Sequence, residues 1–572
     1  MSILHKVATV QFEPTMFEKE RNITGLIALV TEAAEAGARL IVTPEMGTTG
    51  YCWFDRAEVA PFVETVPGAT TARFEAVARA HDCHIVIGMP EVDPSNGLYY
   101  NTAVLIGPDG VIGKHRKTHP YIAEPKWSAP GDLGHQVFET PIGRIALLIC
   151  MDIHFIETAR IVALKGADVI CHVSNWLAER TPAPYWISRA FENGCYLIES
   201  NRWGLERTVQ FSGGSCVIEP DGSIAAVIDA GDGIAYATID LELARDPSVL
   251  GRKALEQRRP DLYKELPTTT HAWNPLDFFG LYGYRPLPPG RKSRVAVAQF
   301  APSNDVEDNL ARIEEMVAAA RHDNGADLIV FPERSITGLG HGLAESISGP
   351  AVERLLSMAA RENIHIIAGL AENAGGRLHN TAVLAGPEGL IGSYRQIHLT
   401  SEDGSWAAPG EDWRVFDTRL GRLGLLIGHD AMFPEAARIL SLRGCDLIAC
   451  PAAIRERFHA GHAGSALHQN YPIPTGADPN HWHHFRVRAG ENNVFFAFAN
   501  IADELNGFPG RSGVFGPDTF EFPRREAHAG SGASLACADI DTSNLDSRYP
   551  TNVVRRKDMM AMRLPHHYLD LV

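Results

Sequence analysis

One pattern runs through this chain twice, and no other feature restricts its folding as much. The run Val7 to Phe12 reads as a short strand and returns as Val295 to Phe300. Ile23, Leu26, Ile27 and Val30 recur at helical spacing between Asn22 and Glu35, with Gly37 placed to end that helix; Asn309 to Arg321 echoes it. A second strand, Leu40 to Val42, leads into Pro44-Glu45, and Leu328 to Val330 leads into Pro332-Glu333. The agreement continues through Asn101 to Leu105 and Asn380 to Leu384, then Gly107 to Gly110 and Gly386 to Gly389. Trp127 to Asp132 answers to Trp406 to Glu411, Arg189 to Asn193 to Arg488 to Asn492, and Asn201 to Asn500. Ordered self-similarity of this kind marks an internal duplication, here of a whole domain. Each copy runs strand, helix, strand, which implies parallel strands in a buried sheet of α/β class.

Two copies also suit the length, because 572 residues exceed what one hydrophobic core usually organises. The boundaries fall at 1–265 and 293–572, with a linker over 266–292 rich in proline. Trp273, Phe278, Phe279, Tyr282 and Tyr284 are too many aromatics for a solvated tether, so the linker is expected to pack between the halves. A formal charge of −17 argues against nucleic acid or an anionic membrane surface as partner, leaving a small molecule or a protein. The nine cysteines show no CxxC spacing, so neither a disulfide framework nor a zinc knuckle is indicated and a reducing, cytoplasmic setting is expected. No run approaches the length of a membrane span.

The chemistry centres on Ala146 to Asp152. Its apolar run has the length of a buried strand, and the residues after it are compatible with a helix, so Cys150 is expected on a strand-to-helix turn. Amides at a helix start favour a thiolate and can bind an oxyanion. Taken alone, the cysteine reads equally well as one more small buried residue.

Three landmarks then bear on it: Pro44-Glu45 after a strand, Arg116-Lys117-Thr118-His119 after a strand and turn, and Cys150-Met151-Asp152 after a strand. In this order they resemble the nitrilase superfamily of carbon-nitrogen hydrolases, and both halves carry the resemblance over nearly their full lengths. It implies an α-β-β-α sandwich in each copy, and two fused copies look like a dimer made within one chain, open to further homo-oligomerisation. It implies Cys150 as nucleophile, Glu45 as base, and Lys117 with the amide of Met151 as oxyanion donors, with no cofactor and no metal. Glu124 is carried over as the residue that orients Lys117 or the substrate. Tyr51, Trp53, Trp127, His154 and Trp176 are candidates for the pocket wall, although aromatic residues serve as often in a core.

The second half departs from the pattern. Glu45 corresponds to Glu333, but Lys117 corresponds to Gln396 and Cys150 to Gly428, while Asp430 matches Asp152 and Asp403 matches Glu124. Glycine has no attacking atom, so 293–572 is read as an inactive copy kept as structural partner; a new site built on His429 is the competing reading. Between Ile454, aligned with Trp176, and Phe485, aligned with Trp186, lies an insertion containing His459, His462, His468, His481, His483 and His484. Without carboxylate or cysteine partners at fixed spacing, a long loop over one of the two pockets is favoured above a metal site.

An aspartate two places after the cysteine accords with amidase-like and carbamoylase-like members, where true nitrilases usually carry Trp-Glu directly after it. The expected reaction is hydrolysis of a small carboxamide to acid and ammonia through a thioester. N-carbamoyl hydrolysis, nitrile hydrolysis and a noncatalytic binding or assembly role are the alternatives. Phe155-Ile156-Glu157 departs from the family's usual Phe-Pro-Glu.

Overall fold

A computed structural model describes every residue except 1–3, 122, 178, 270–287, 469–477, 518–524 and 544–557. The linker aromatics Trp273, Phe278, Phe279, Tyr282 and Tyr284 lie outside the described residues. The chain divides into two compact units, one of Met1–Glu256, His459–Trp482 and Leu564–Leu571, the other of Gln257–Phe458, His483–Arg563 and Val572. Each unit thus includes a short segment that follows the other repeat in the sequence, and the first also takes the hairpin from the second repeat's insertion.

The first unit opens with β1 (Leu4–Gln11), α1 (Lys19–Glu35), β2 (Leu40–Val42), α2 (Arg56–Val59), α3 (Ala69–His81), β3 (His84–Val92), β4 (Tyr99–Gly107) and β5 (Gly110–Arg116). It continues through β6 (Val137–Thr140), β7 (Gly143–Ile149), α4 (Ile156–Leu164), β8 (Val169–Ser174), α5 (Pro184–Asn193) and β9 (Tyr196–Asn201). A hairpin of β10 (Trp203–Glu206) and β11 (Val209–Ser212) follows, and β12 (Cys216–Ile218), β13 (Ile224–Val227) and β14 (Gly233–Asp240) complete it. Two six-stranded sheets result, ordered β14-β1-β2-β3-β4-β5 and β13-β12-β9-β8-β7-β6. Strands β1, β2 and β3 run parallel, as do β7, β8 and β9. The helix that the apolar spacing predicted begins three residues earlier, at Lys19, and Gly37 does follow it with φ +88°.

The sheets face each other, joined where Thr9 donates to the carbonyl of Glu199 (2.5 Å) and Ser200 to that of Val10 (2.6 Å). Helices α1 and α3 cover the outer face of the first sheet through Ile23, Leu26, Val30, Phe74 and Ala78. Helix α4 covers the second through Ala159, Val162 and Ala163. This is the α-β-β-α sandwich expected from the sequence.

The second unit repeats it. Its sheets order Gly389–Arg395, Arg377–Gly386, His365–Ala374, Leu328–Val330, Lys292–Gln299 and Ser534–Asp541, and Val415–Thr418, Gly421–Leu425, Leu447–Ala452, Phe495–Asn500, Gly513–Phe515 and Ala527–His528. The repeat alignment holds at the level of single bonds. The amide of Trp176 donates to Asn201 Oδ1 at 2.7 Å and that of Ile454 to Asn500 Oδ1 at 2.8 Å. Among the described residues no helix is long and apolar enough to cross a membrane.

Candidate active site

The candidate residues of the first unit come from the ends of several strands. β2 ends two residues before Pro44-Glu45, and Glu45 sits tightly against β3 because residue 88 is glycine: a Cβ there would stand 2.6 Å from the amide of Met46. Lys117 directly follows β5, without an intervening turn, and its amide donates to the carbonyl of Asn101 (2.8 Å). Cys150 follows β7 and opens a 3-10 turn that leads into α4, on the strand-to-helix corner the sequence implied.

The side chains converge in the interior. Lys117 Nζ lies 2.7 Å from Glu45 Oε1 and 2.6 Å from Glu124 Oε2, all three buried. Asn101 ties the same carboxylates together, its Nδ2 donating to Glu45 Oε1 at 2.7 Å and to Glu124 Oε1 at 2.6 Å. Tyr51 donates its hydroxyl to Glu124 Oε2 at 3.0 Å. Glu45 Oε2 has no hydrogen-bond partner among the described residues, which leaves one carboxylate oxygen ready to accept a proton.

Burial raises the Glu45 carboxyl above the ordinary glutamate range, and Lys117 offsets only part of that. Burial also disfavours the charged form of Lys117, but Glu124 and Glu45 outweigh it and hold the ammonium well above the usual lysine value. The Cys150 thiol is pushed well above its usual value by burial and by Glu45, with Lys117 and the backbone amide of Asn175 pulling the other way. Burial and the Glu45 carboxylate thus oppose the thiolate that amides at the turn favour.

Cys150 has φ +44°, a conformation uncommon for a residue with a side chain. Asp152 holds the turn in this shape. Its Oδ1 accepts from the amides of Thr118 (3.1 Å) and His119 (3.0 Å), and its Oδ2 accepts from the amide of Ile149 (3.2 Å) and lies 2.9 Å from His115 Nε2. Burial would raise the Asp152 carboxyl, but its hydrogen bonds with His115 and His119 hold it well below the usual range. His119 in turn stacks on Phe155, 3.7 Å between ring centroids.

Of the pocket-wall candidates, Tyr51 joins the lysine cluster directly, with Lys117 Nζ 5.5 Å from its ring centroid, and Trp127 packs with it. His154 and Trp176 form a separate stack, 4.6 Å apart and nearly parallel, with the Trp176 indole donating to Glu179 Oε1 at 2.6 Å. Trp53 faces Phe17 and Phe62 and donates to the carbonyl of Gly50, a core position. Met151 is buried beside Cys150 on the turn. Sequence reasoning missed Asn101 and Asn175 as site residues, and Glu179 altogether. Asn101 had appeared only as a landmark shared with Asn380. Asn175 donates its side chain to the carbonyl of Glu45 at 3.1 Å. No group of three or more His, Cys, Asp or Glu among the described residues could hold a metal ion.

The second unit keeps the frame and changes its contents. Gly428 has φ +41°, and Asp430 accepts from the amides of Ile427 and His398 as Asp152 does in the first unit. Asn380 donates to Glu333 Oε1 at 2.7 Å and to Gln396 Oε1 at 2.8 Å. The cation that the sequence showed as lost from Lys117 has moved. Arg334, at the position of Met46, lies 3.7 Å from Glu333 Oε1 and 3.6 Å from Asp403 Oδ1, so Asp403 does face a cation. Burial and Asp403 raise the Glu333 carboxyl to about 7.

The model of the carbon-nitrogen hydrolase family matches residues 6–246 and again 294–535. The chain is similar to a protein of Pyrococcus abyssi named nitrilase, 38% identical over 246 residues that make up 43% of this chain and 93% of that one. It is also similar to an omega-amidase of Bos taurus, 30% identical over 45% of this chain and 96% of the relative. A solved carbon-nitrogen hydrolase from Helicobacter pylori matches 46% of this chain and 98% of its own, with 27% identity and a TM-score of 0.42. Relatives of one domain's length, matched almost end to end, and a family pattern met twice in order leave one conclusion: the chain belongs to the carbon-nitrogen hydrolase family as two tandem copies and is a hydrolase of carbon–nitrogen bonds.

Proposed function

We propose that the first copy hydrolyses a small carboxamide to a carboxylic acid and ammonia, with Cys150 as nucleophile. The observation that carries this reading is the division of labour on Glu45. One oxygen is held by Lys117 and Asn101 and the other is unpartnered among the described residues, in a carboxylate whose proton affinity burial has raised. Such a group suits general-base work near neutral pH.

Cys150 Sγ attacks the amide carbon while its proton passes to Glu45. The oxyanion is held by Lys117, which remains protonated throughout, and by the amide of Met151. Collapse breaks the carbon–nitrogen bond, Glu45 gives its proton to the departing nitrogen, and ammonia leaves a thioester. Glu45 then takes a proton from water, the hydroxide adds to the thioester carbon, and collapse returns the thiolate, which recovers the proton from Glu45. The sum is amide plus water to acid plus ammonia. Glu124 accepts from Lys117 through one oxygen and from Asn101 through the other, and so fixes where the ammonium points.

A small substrate suits a nucleophile that retains only 6% of its surface exposed, within a wall of buried aromatic side chains. The second copy is proposed to turn nothing over and, with the first, to form a dimer within one chain; light scattering on the whole protein tests for further association. Ammonia release should be measured over a panel of short amides, nitriles and N-carbamoyl compounds with wild-type protein and full-length Cys150→Ala. Amide turnover that Cys150→Ala abolishes is expected. Residual turnover in that variant would reject the inactive second copy, and a preference for nitriles or carbamoyl compounds would reject the carboxamide assignment.

A further inference from the structure

Beneath the nucleophile turn lies a buried polar group that none of the steps above uses. His172 on β8 stands directly opposite Glu199 on β9, both fully buried, and His172 Nδ1 is hydrogen-bonded to Glu199 Oε2. Ser174, two residues along the same face of β8, donates to the other carboxylate oxygen. The far side of the imidazole, Nε2, lies 3.1 Å from the carbonyl oxygen of Cys150.

A carbonyl oxygen only accepts, so Nε2 carries a proton. The pair therefore holds a further shared proton on the Nδ1 side, either as imidazolium against carboxylate or as imidazole against carboxylic acid. Burial opposes charge on the His172 ring, yet Glu199 outweighs it and raises the imidazole above its ordinary value; burial raises Glu199 too. Both states leave the Nε2–H donor aimed at Cys150.

The consequence follows from peptide geometry. The peptide between Cys150 and Met151 is planar and trans, so the Cys150 carbonyl and the Met151 N–H point in opposite directions. A donor that anchors the carbonyl on the His172 side directs the Met151 N–H to the opposite side of the turn.

The second unit supplies a comparison within the same molecule. The strand positions of His172, Ser174 and Glu199 are occupied there by Cys450, Ala452 and Phe498, with Cys450 opposite Phe498 in the same register. All three are fully buried, and the Gly428 turn of that unit has nearly the same φ. The fold does not need the polar group to make the turn. It is present where the nucleophile is present and absent where the nucleophile is absent.

Building on the amidase reading, we propose that His172, held by Glu199 and Ser174, is a positioning residue that anchors the Cys150 carbonyl and thereby aims the Met151 amide at the oxyanion. The proposal separates attack by sulfur from stabilisation of the oxyanion, and the two can be measured apart. Alkylation of Cys150 by iodoacetamide is a displacement at a saturated carbon and forms no oxyanion.

The test uses the full-length chain with His172→Cys, Ser174→Ala and Glu199→Phe combined, a set of side chains already accommodated in the second unit. With the best amide of the panel, kcat is expected to fall about 100-fold, the scale of one lost oxyanion donor. KM and the rate of Cys150 alkylation, followed on its own peptide by mass spectrometry, should stay within about threefold. An unchanged kcat overturns the proposal, and so does alkylation that slows in step with kcat, since His172 would then act on the thiol. Glu199→Gln provides the second measurement should the triple variant lose its fold. Its amide donates to Nδ1, leaves Nε2–H on the carbonyl, and should keep kcat within about threefold of wild type; a folded Glu199→Gln protein with a loss near 100-fold overturns the proposal. A wild-type protein that hydrolyses no amide would instead defeat the reaction assignment, and is told apart by the wild-type control.

Discussion

Glu333 Oε2 lies 2.4 Å from the point where a side-chain carbon on Gly428 would begin. In the second copy the carboxylate equivalent to that of Glu45 crowds the place where the first copy has the Cβ of Cys150. Glu333 is held there by Asn380 and faces Arg334, which stands where the first copy has Met46. Loss of the thiol, loss of the lysine and arrival of the arginine thus form one rearrangement of charge within the same frame.

Restoring the thiol alone should therefore fail. In full-length Cys150→Ala protein, Gly428→Cys is expected to release no ammonia from any amide of the panel, because its Cβ meets a pinned carboxylate and Gln396 supplies no cation. Gly428→Ala should share the cost, since both variants add a Cβ at positive φ. That strain is worth about 1–3 kcal/mol, read as a drop in melting temperature of roughly 2–4 °C per kcal/mol. Turnover by the revertant would show that Glu333 yields easily.

Removing the buried cation of the first copy should be costly in both activity and stability. Lys117→Met leaves Glu45 and Glu124 facing each other across Asn101 with no positive charge between them. Breaking a buried ion pair on one side costs about 3–5 kcal/mol. The stranded carboxylates then bind protons more tightly folded than unfolded, so their penalty grows as pH rises. Denaturation by urea at pH 5 and pH 7 should show the gap to wild type narrowing at pH 5, with no turnover at either. An equal gap at both would mean that neither carboxylate feels the loss.

The pH profile should bear the mark of a protonated thiol. Glu45 is raised above the ordinary glutamate range, so as pH falls through that value the base is lost, and the acid limb of kcat/KM should lie above the free glutamate value of about 4.3. Burial is the larger cause of the raised Cys150 thiol and persists when Glu45 is neutralised, so in Glu45→Gln protein alkylation by iodoacetamide should stay slow at neutral pH and climb only toward alkaline pH. A plateau of fast alkylation from pH 6 upward would reveal a resting thiolate.

The sequence made the frame legible because duplication repeats the same strands and turns in the same order, and burial on both faces of the parallel strands leaves continuous apolar runs. Glu45, Lys117 and Cys150 stood out because each follows a strand end in a family order. Asn101 and the His172–Glu199 pair did not, since their partners lie across sheets or strands and no local spacing announces them. Arg334 was hidden for another reason. It preserves the charge of Lys117 from a different position in the chain, and alignment of equivalent positions records only a loss.

The insertion of the second repeat lends itself to the last prediction. The described part of it within His459–Trp482 belongs to the first unit, where the amide of Ser465 donates to the carbonyl of Thr181 (2.7 Å) and His481 Nε2 lies 3.0 Å from the carbonyl of Pro182. Trp482 is nearly fully buried, packs edge-on to Phe191 and donates its indole to Ser188 Oγ at 3.2 Å. These contacts fall on the segment and helix α5 that carry Glu179 and Tyr185 beside Trp176. Trp482→Ala should remove about 3–5 kcal/mol of packing. Hydrogen exchange should then quicken at 179–193, and kcat/KM should fall with the loss of order next to the pocket wall. Exchange unchanged there, or quickened only in the helix His484–Asn492 of the second unit, would mean that the hairpin serves its own repeat and not the one that carries Cys150.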